Sequence, residues 1–265
     1  MEAPSYPRFI YTGQSSQSSS GRPSAARIVY RLLEIVQPTS VVDVGCGVGV
    51  FLAAFSERGI EDVRGIDLPG IDMHLLRIPA DKFVPWDLSK PYDADRQFDV
   101  VMSLETAEHL PASSAETFVQ TLTGLGPIVV FSAAVPKQGG YRHLNEQWQD
   151  YWAQKFKARG YLPVDSLRNS LWNDPDVSPF YRQNIVMYVS KQILEDDARL
   201  RSAYQKTNLD SLSRIHPLIY IGKADPKHVT LRFLLEALLR MPVVLAMAIC
   251  RRLGRLLRAL PRRDV

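Results

Sequence analysis

The apolar positions along the chain follow two periods in alternation. In "AARIVYRLLEIV" they recur at helical spacing, with Ile28, Leu32, Ile35 and Val36 on one face. Ser24 precedes this run as a candidate cap, and Pro38 lies just past its end. "SVVDVG" is a short continuous apolar run and reads as a buried strand. "VGVFLAAFSERG" returns to helical spacing and is closed by Gly59. "VRGIDL", "KFVPWDL" and "QFDVVMSLE" predict a second, third and fourth strand. The helix over "SSAETFVQTLTGL" has Ser113 or Ser114 as its cap, with Glu116 placed for a capping box. "PIVVFSAAV" is a fifth strand, "NEQWQDYWAQKFKARG" a helix ending at Gly160, and "NIVMYVSK" a late strand.

This alternation predicts βαβ units and an α/β fold: a mostly parallel sheet with helices on both faces. Ligands on such sheets bind at the carboxyl ends of the strands, near the point where strand order reverses. The acids at predicted strand ends, Asp43, Asp67, Asp87 and Glu105, are therefore candidates for a site. The expected organisation is a leader over 1–23, the α/β domain over 24–190, a connecting segment over 191–228 and a helical tail over 229–265. Residues 13–24 are rich in Ser, Gly and Gln. They are either a disordered leader or part of a flap anchored by Tyr6, Phe9 and Tyr11.

Composition narrows the classes. Of 265 residues, 46% are hydrophobic and 23% charged, as in ordinary globular proteins. The net charge of +4 is concentrated at one end, where Arg251, Arg252, Arg255, Arg258, Arg262 and Arg263 crowd the last fifteen residues. Without them the body is close to neutral, so no nucleic-acid partner is expected. Cys46 and Cys250 lie in a glycine turn and an apolar run, and no disulfide between them is expected. "MEAPSYPRFIYTG" lacks the apolar core of a signal peptide. A cytoplasmic location is expected on these grounds.

The stretch "VVDVGCGVGVF" places Gly45, Gly47 and Gly49 at alternate positions directly after a strand. A dinucleotide fingerprint, G-x-G-x-x-G, would need its third glycine where Val50 stands. That mismatch argues against an NAD-dependent oxidoreductase. The pattern present is D-x-G-x-G-x-G, from Asp43 to Gly49. With "VRGIDL" and "FDVVMSLETAEHL" following in order, the chain resembles the class I S-adenosylmethionine-dependent methyltransferases over about residues 25–190. The resemblance implies a Rossmann-like seven-stranded sheet and S-adenosylmethionine as cofactor. It places Gly45, Gly47 and Gly49 at the cofactor's amino-acid and ribose portions, with Asp43 orienting either the loop or the cofactor's ammonium. Asp67 and Leu68 follow at the ribose diol, and Asp87 and Leu88 of "WDL" at the adenine. Glu105 is either a further cofactor contact or an acid capping the next helix.

A hydroxyl acceptor needs a base, because its own pKa lies far above 7. His109 in "AEHL" and His143 in "GGYRHLNEQW" are the candidates, and both fall in loops at the carboxyl edge. His143 is expected to be the general base unless it is structural. His109 either supports the cofactor's methionine end or caps locally. Tyr141, Asn145 and Glu146 can orient the acceptor, although Asn145 is equally placed to cap the following helix. "GGYRHLNEQW" and "SLWNDPDVSPFYRQNIVMYV" are similar to segments of bacterial methyltransferases that act on saccharides and secondary metabolites. That implies a small-molecule hydroxyl acceptor, with Trp172, Asn173, Asp174 and Tyr181 able to line its pocket, although Trp172 is equally placed to cover the edge of the core. The strand-end acids are all assigned to the cofactor, so no metal is expected. A lipid or protein acceptor at a membrane, or a non-catalytic scaffold that binds cofactor, are the alternatives.

From Val229 the tail is strongly apolar, and Pro242 is expected to start or kink a second segment. Its arginines suit an anionic membrane surface. The readings are an in-plane amphipathic anchor with peripheral membrane contact over 229–265, or a helical hairpin or oligomer contact. "IHPLIYIG" reads as an extended piece.

Overall fold

Seven short strands carry the architecture in the computed structural model, which describes residues 21–225 and 231–258. They are β1 (Ser40–Val44), β2 (Asp62–Asp67), β3 (Phe83–Pro85), β4 (Val100–Leu104), β5 (Ile128–Ser132), β6 (Tyr161–Val164) and β7 (Val186–Ser190). They form one sheet in the order β3-β2-β1-β4-β5-β7-β6. β7 runs antiparallel to both β5 and β6, and the pairs from β3 to β5 are parallel. Strand order reverses between β1 and β4, so their carboxyl ends flank the crevice where ligands of such sheets sit.

The central strands are apolar throughout because both faces are covered: every residue of β1, β4 and β5 is buried. Alternation along β1 sends Val41 to one core and Val42 and Val44 to the other. On the first face, Ile28 and Leu32 of α1 (Gly21–Leu33) pack with Leu52 and Phe55 of α2 (Val50–Ser56). On the second, Phe118 and Leu122 of α3 (Ala115–Leu125) pack with Trp152 and Phe156 of α4 (Gln149–Ala158). Short helices α5 (Ser166–Leu171), α6 (Pro179–Asn184), α7 (Lys191–Asp196) and α8 (Ala198–Gln205) belong to the same compact unit, which ends at His216.

Several local expectations change. α1 begins at Gly21, so Ser24 is not its cap. Ser24 is buried instead, and its hydroxyl accepts from the Ser178 amide at 3.0 Å, tying α1 to the loop before α6. Ser114 precedes α3 but makes no capping bond, because a 3-10 turn over Ala112–Ser114 runs into the helix and leaves its backbone near-helical. β6 carries Pro163, which only an edge strand tolerates, and β6 is the edge. The flap anchors Tyr6, Phe9 and Tyr11 lie outside the described residues.

A second unit begins at Pro217. It contains α9 (Pro217–Ala224) and α10 (Leu231–Arg258). α9 replaces the extended piece expected for "IHPLIYIG", and Pro217 opens it at the position where a missing N–H costs nothing. α10 runs through Pro242 as one helix, so the proline does not start a new segment there. The flanking leucines, alanines and arginines are strong helix formers and sustain the helix on both sides. No helix among the described residues is long and apolar enough to cross a membrane. Arg262 and Arg263 lie outside the described residues.

Candidate active site

The glycine turn after β1 is built from backbone that other residues adopt poorly. Gly45, Gly47 and Gly49 have φ of 87°, 53° and 79°. A Cβ on Gly45 would lie 2.2 Å from Thr106 Oγ1, so the turn presses directly on the residue beyond β4. The Gly45 amide donates to the Ile66 carbonyl at 2.7 Å, which seats the turn beside the end of β2. Asp67 closes the arrangement. Its Oδ2 accepts from the Gly47 amide and its Oδ1 from the Leu68 amide, both at 2.6 Å. Asp67 thus clamps the turn while standing at the strand edge.

Two carboxyls are buried here. Burial raises Asp43 to about 7, with Asp67 adding to the rise. Burial also raises Asp67 to about 6, against the two amides that favour its charged form. Beyond β3, the Trp86 amide donates to the Asp67 carbonyl at 2.7 Å, which brings Asp87 and Leu88 to the same edge. Asp87 Oδ1 is occupied by the Ser89 amide and hydroxyl, at 3.1 and 2.7 Å, and these bonds hold its carboxyl below the usual range. Leu88 is buried in the second core.

Glu105 follows β4 with φ of 50°, a conformation uncommon for a residue with a side chain. Its carboxylate accepts from Asn184 Nδ2 at 3.0 Å and from Gln138 Nε2 at 3.1 Å. Gln138, Gln183 and Asn184 are themselves buried and bonded to one another. This amide cradle directs Glu105 toward the loop after β5 and toward α6.

The next turn supplies a residue that the sequence did not single out. Glu108 lies in a 3-10 turn over Ala107–His109 and is fully buried. Neither of its carboxylate oxygens has a hydrogen-bond donor in good geometry. Its main-chain carbonyl accepts from the amides of Leu144 and Asn145, at 2.7 and 3.0 Å. These bonds dock the loop over 139–148 against the turn and bring the rings of His109 and His143 edge to face, 4.9 Å apart. Ligand atoms of Glu108, His109 and His143 all lie within 4.8 Å of one another. The expectation that no metal set exists rested on counting strand-end acids alone, and Glu108 lies one turn beyond β4.

His143 is positioned with care. Its Nδ1 is 2.9 Å from Glu146 Oε1, and Glu146 in turn accepts from the amides of Gly139 and Lys137. A Cβ on Gly140 would lie 2.1 Å from His143 Nε2, so only glycine fits beside the ring. Burial pushes the Glu108 carboxyl well above its ordinary value, and the neighbouring Glu105 pushes it further. Burial also raises Glu105. Burial, with His143 beside it, lowers His109 to about 4, so its ring is neutral at pH 7.

The remaining candidates are distributed around this core. Asn145 is not a helix cap: α4 begins at Gln149 after Trp148, and Asn145 is buried against Glu108. Tyr181 packs edge-on to Phe51 at 5.7 Å, and burial raises its phenol, with Glu105, Asp43 and Glu108 all contributing. It therefore stands between the glycine turn and the histidine cluster. Asp174 pairs with Arg27 at 2.7 Å, and the Trp172 carbonyl accepts from His216, so both serve the frame. Tyr141 is exposed. Glu108, Gln138 and Asn184 went unread in the sequence. The spacing Glu105-x-x-Glu108-His109 in "ETAEHL" was the available signal for the first of them.

One acid-clamped glycine turn and one imidazole–carboxylate cluster thus occupy the carboxyl edge of β1, β2 and β4. Among solved structures, the magnesium protoporphyrin IX methyltransferase of Synechocystis PCC 6803, with SAM bound, is 19% identical, with a TM-score of 0.50 over 69% of this chain and 89% of that one. A glycopeptide N-methyltransferase is 14% identical, with a TM-score of 0.46 over 63% of this chain and 90% of that one. A comparison with curated proteins gives no match. The family described as "Methyltransferase domain" matches residues 20–173, more than half of the chain. On that match the chain belongs to the methyltransferase-domain family.

Proposed function

We propose that the chain methylates a hydroxyl oxygen of a saccharide or secondary-metabolite acceptor, with S-adenosylmethionine as the methyl donor. The donor supplies an activated methyl group on a sulfonium, and the protein supplies alignment and exclusion of water. Backbone at Gly45, Gly47 and Gly49 admits the donor closely. Asp67 keeps lone pairs beyond its two amide bonds for a ribose diol, and Leu68 follows it at the same edge. Asp43 orients the turn from beneath. Leu88 lies where an adenine would need apolar contact, and Asp87 Oδ2, which pairs with Lys90 at 3.5 Å, would accept from an exocyclic amine.

The observation that carries the oxygen acceptor is the His143–Glu146 pair at the same edge, beside His109. A nitrogen or carbon acceptor has less need of such a group, whereas a hydroxyl must lose its proton. Glu146 fixes one ring nitrogen of His143 and leaves Nε2 for the work. His143 is the residue on which removal of the acceptor proton depends. His143→Ala is expected to lower turnover by about 100-fold or more, with the affinity for S-adenosylhomocysteine unchanged by calorimetry. Full turnover in that variant would contradict the assignment.

A second reading concerns where the acceptor is met. α10 exposes Leu234, Leu238, Leu239, Val243 and Leu245. Arg240 and Arg251 lie about three turns apart, and so share one side of the helix. An apolar helix with a basic stripe suits an anionic membrane surface, which supports peripheral contact and admits a lipid-borne or membrane-protein acceptor.

A further inference from the structure

We propose that Glu108, His109 and His143 form a binding site for one first-row divalent cation. Their donor atoms lie within 4.8 Å of one another, so side-chain adjustments of about 1 Å would bring them to the roughly 3.4 Å spacing of ligands on a single ion. Glu108 is the independent sign. Its carboxylate is wholly buried without a well-placed donor, and a second acid, Glu105, stands beside it. A buried carboxylate left this way is costly, and a cation neutralises it.

The histidines fit the same purpose. Glu146 holds His143 by Nδ1, the carboxylate–imidazole arrangement that orients metal-bound histidines, and Nε2 remains for an ion. The missing side chain at Gly140 keeps space at that nitrogen. Two imidazoles and one carboxylate suit manganese, iron, cobalt or zinc better than calcium or magnesium, which prefer oxygen ligands. An ion here would lie on the edge where the acceptor binds, and it would lower the pKa of an acceptor hydroxyl bound to it. With Nε2 on the ion, His143 would act as a ligand in place of a base, and the hydroxyl proton would pass to water at the open edge. That consequence rests on the hydroxyl reading, but cation binding itself does not.

The test uses the full chain, stripped with chelator and titrated with Mn2+ or Zn2+ alone. Calorimetry follows both ions, and the paramagnetic signal of free Mn2+ follows the first. The expected result is one site per chain. Glu108→Gln and His143→Asn should each weaken it by about tenfold or more, and Glu146→Gln by about 10–100-fold. Affinity for S-adenosylhomocysteine should stay at the parental value in all three, which shows that they fold. No binding of either ion, or parental affinity in all three variants, would overturn the proposal. If the ions fail to bind while His143→Ala still suppresses methylation of a hydroxyl, the cation site falls and the acceptor reading stands. If an ion binds as expected and the methyl group goes to nitrogen, the cation site stands and the hydroxyl reading falls.

Discussion

Asp43 bears a cost that its neighbours do not relieve. It is 2% exposed within β1, and its carboxyl titrates near 7 where an unfolded chain would titrate at 3.8. The folded state therefore holds an extra proton between those values, and stability falls as pH rises from about 4 to 7. Asp67, raised to about 6, acts with the same sign. Replacing Asp43 with Asn should flatten this dependence. Between pH 5 and pH 8 the cofactor-free parent should lose on the order of 2–3 kcal/mol more than Asp43→Asn, read from denaturant unfolding at each pH. Equal losses would show that Asp43 is not the buried proton. At this scale the glycine turn and Asp67 were legible, because bare backbone and a strand-end acid are local signals. Glu108 was not. Its significance depends on Leu144 and Asn145, more than thirty residues later, folding back onto its carbonyl.

Elements were legible where a period ran long enough and hidden where tertiary partners decided. The runs that became β1, β4 and β5 are continuously apolar because sheet neighbours bury both faces. β6 is four residues with a proline, too little pattern to stand out from a loop. Ser24 looked like a cap because capping residues look alike in sequence, and its real partner is 154 positions away. α5 and α6 are held by a partner of the same kind. Arg168 is fully buried, with Nε and Nη2 on Asp165 at 2.6 and 2.8 Å, Nη1 on the Gln183 carbonyl and Nη2 on the Leu212 carbonyl. Arg168→Ala would leave Asp165 buried with only Arg214, at 3.2 Å, to balance it. The expected cost is about 3–5 kcal/mol, or on the order of 10 °C in Tm by calorimetric scan. A loss under about 1 kcal/mol would mean that α5 and α6 are held by packing alone.

For the molecule as a whole, the βα alternation led to the correct sheet class, and the order β3-β2-β1-β4-β5-β7-β6 puts the glycine turn, Asp67 and Glu105 at one edge. The apolar tail was legible as a helix, but whether Pro242 starts a new segment or lies within one helix was not, since the sequence around a proline allows either. If α10 meets a membrane, the full chain should sediment with anionic liposomes, and a chain ending at residue 228 should not. Sedimentation of both, or of neither, would remove α10 from that role. The central claim is that the glycines and Asp67 admit a methyl donor, and calorimetric titration with S-adenosylhomocysteine tests it most directly, with NAD as the control. The account predicts micromolar binding of the first and none of the second. It also predicts an order of magnitude or more lost in Asp67→Ala, from about 1.5–3 kcal/mol in a charge-assisted bond. Binding of NAD instead, or an affinity unmoved by Asp67→Ala, would contradict it.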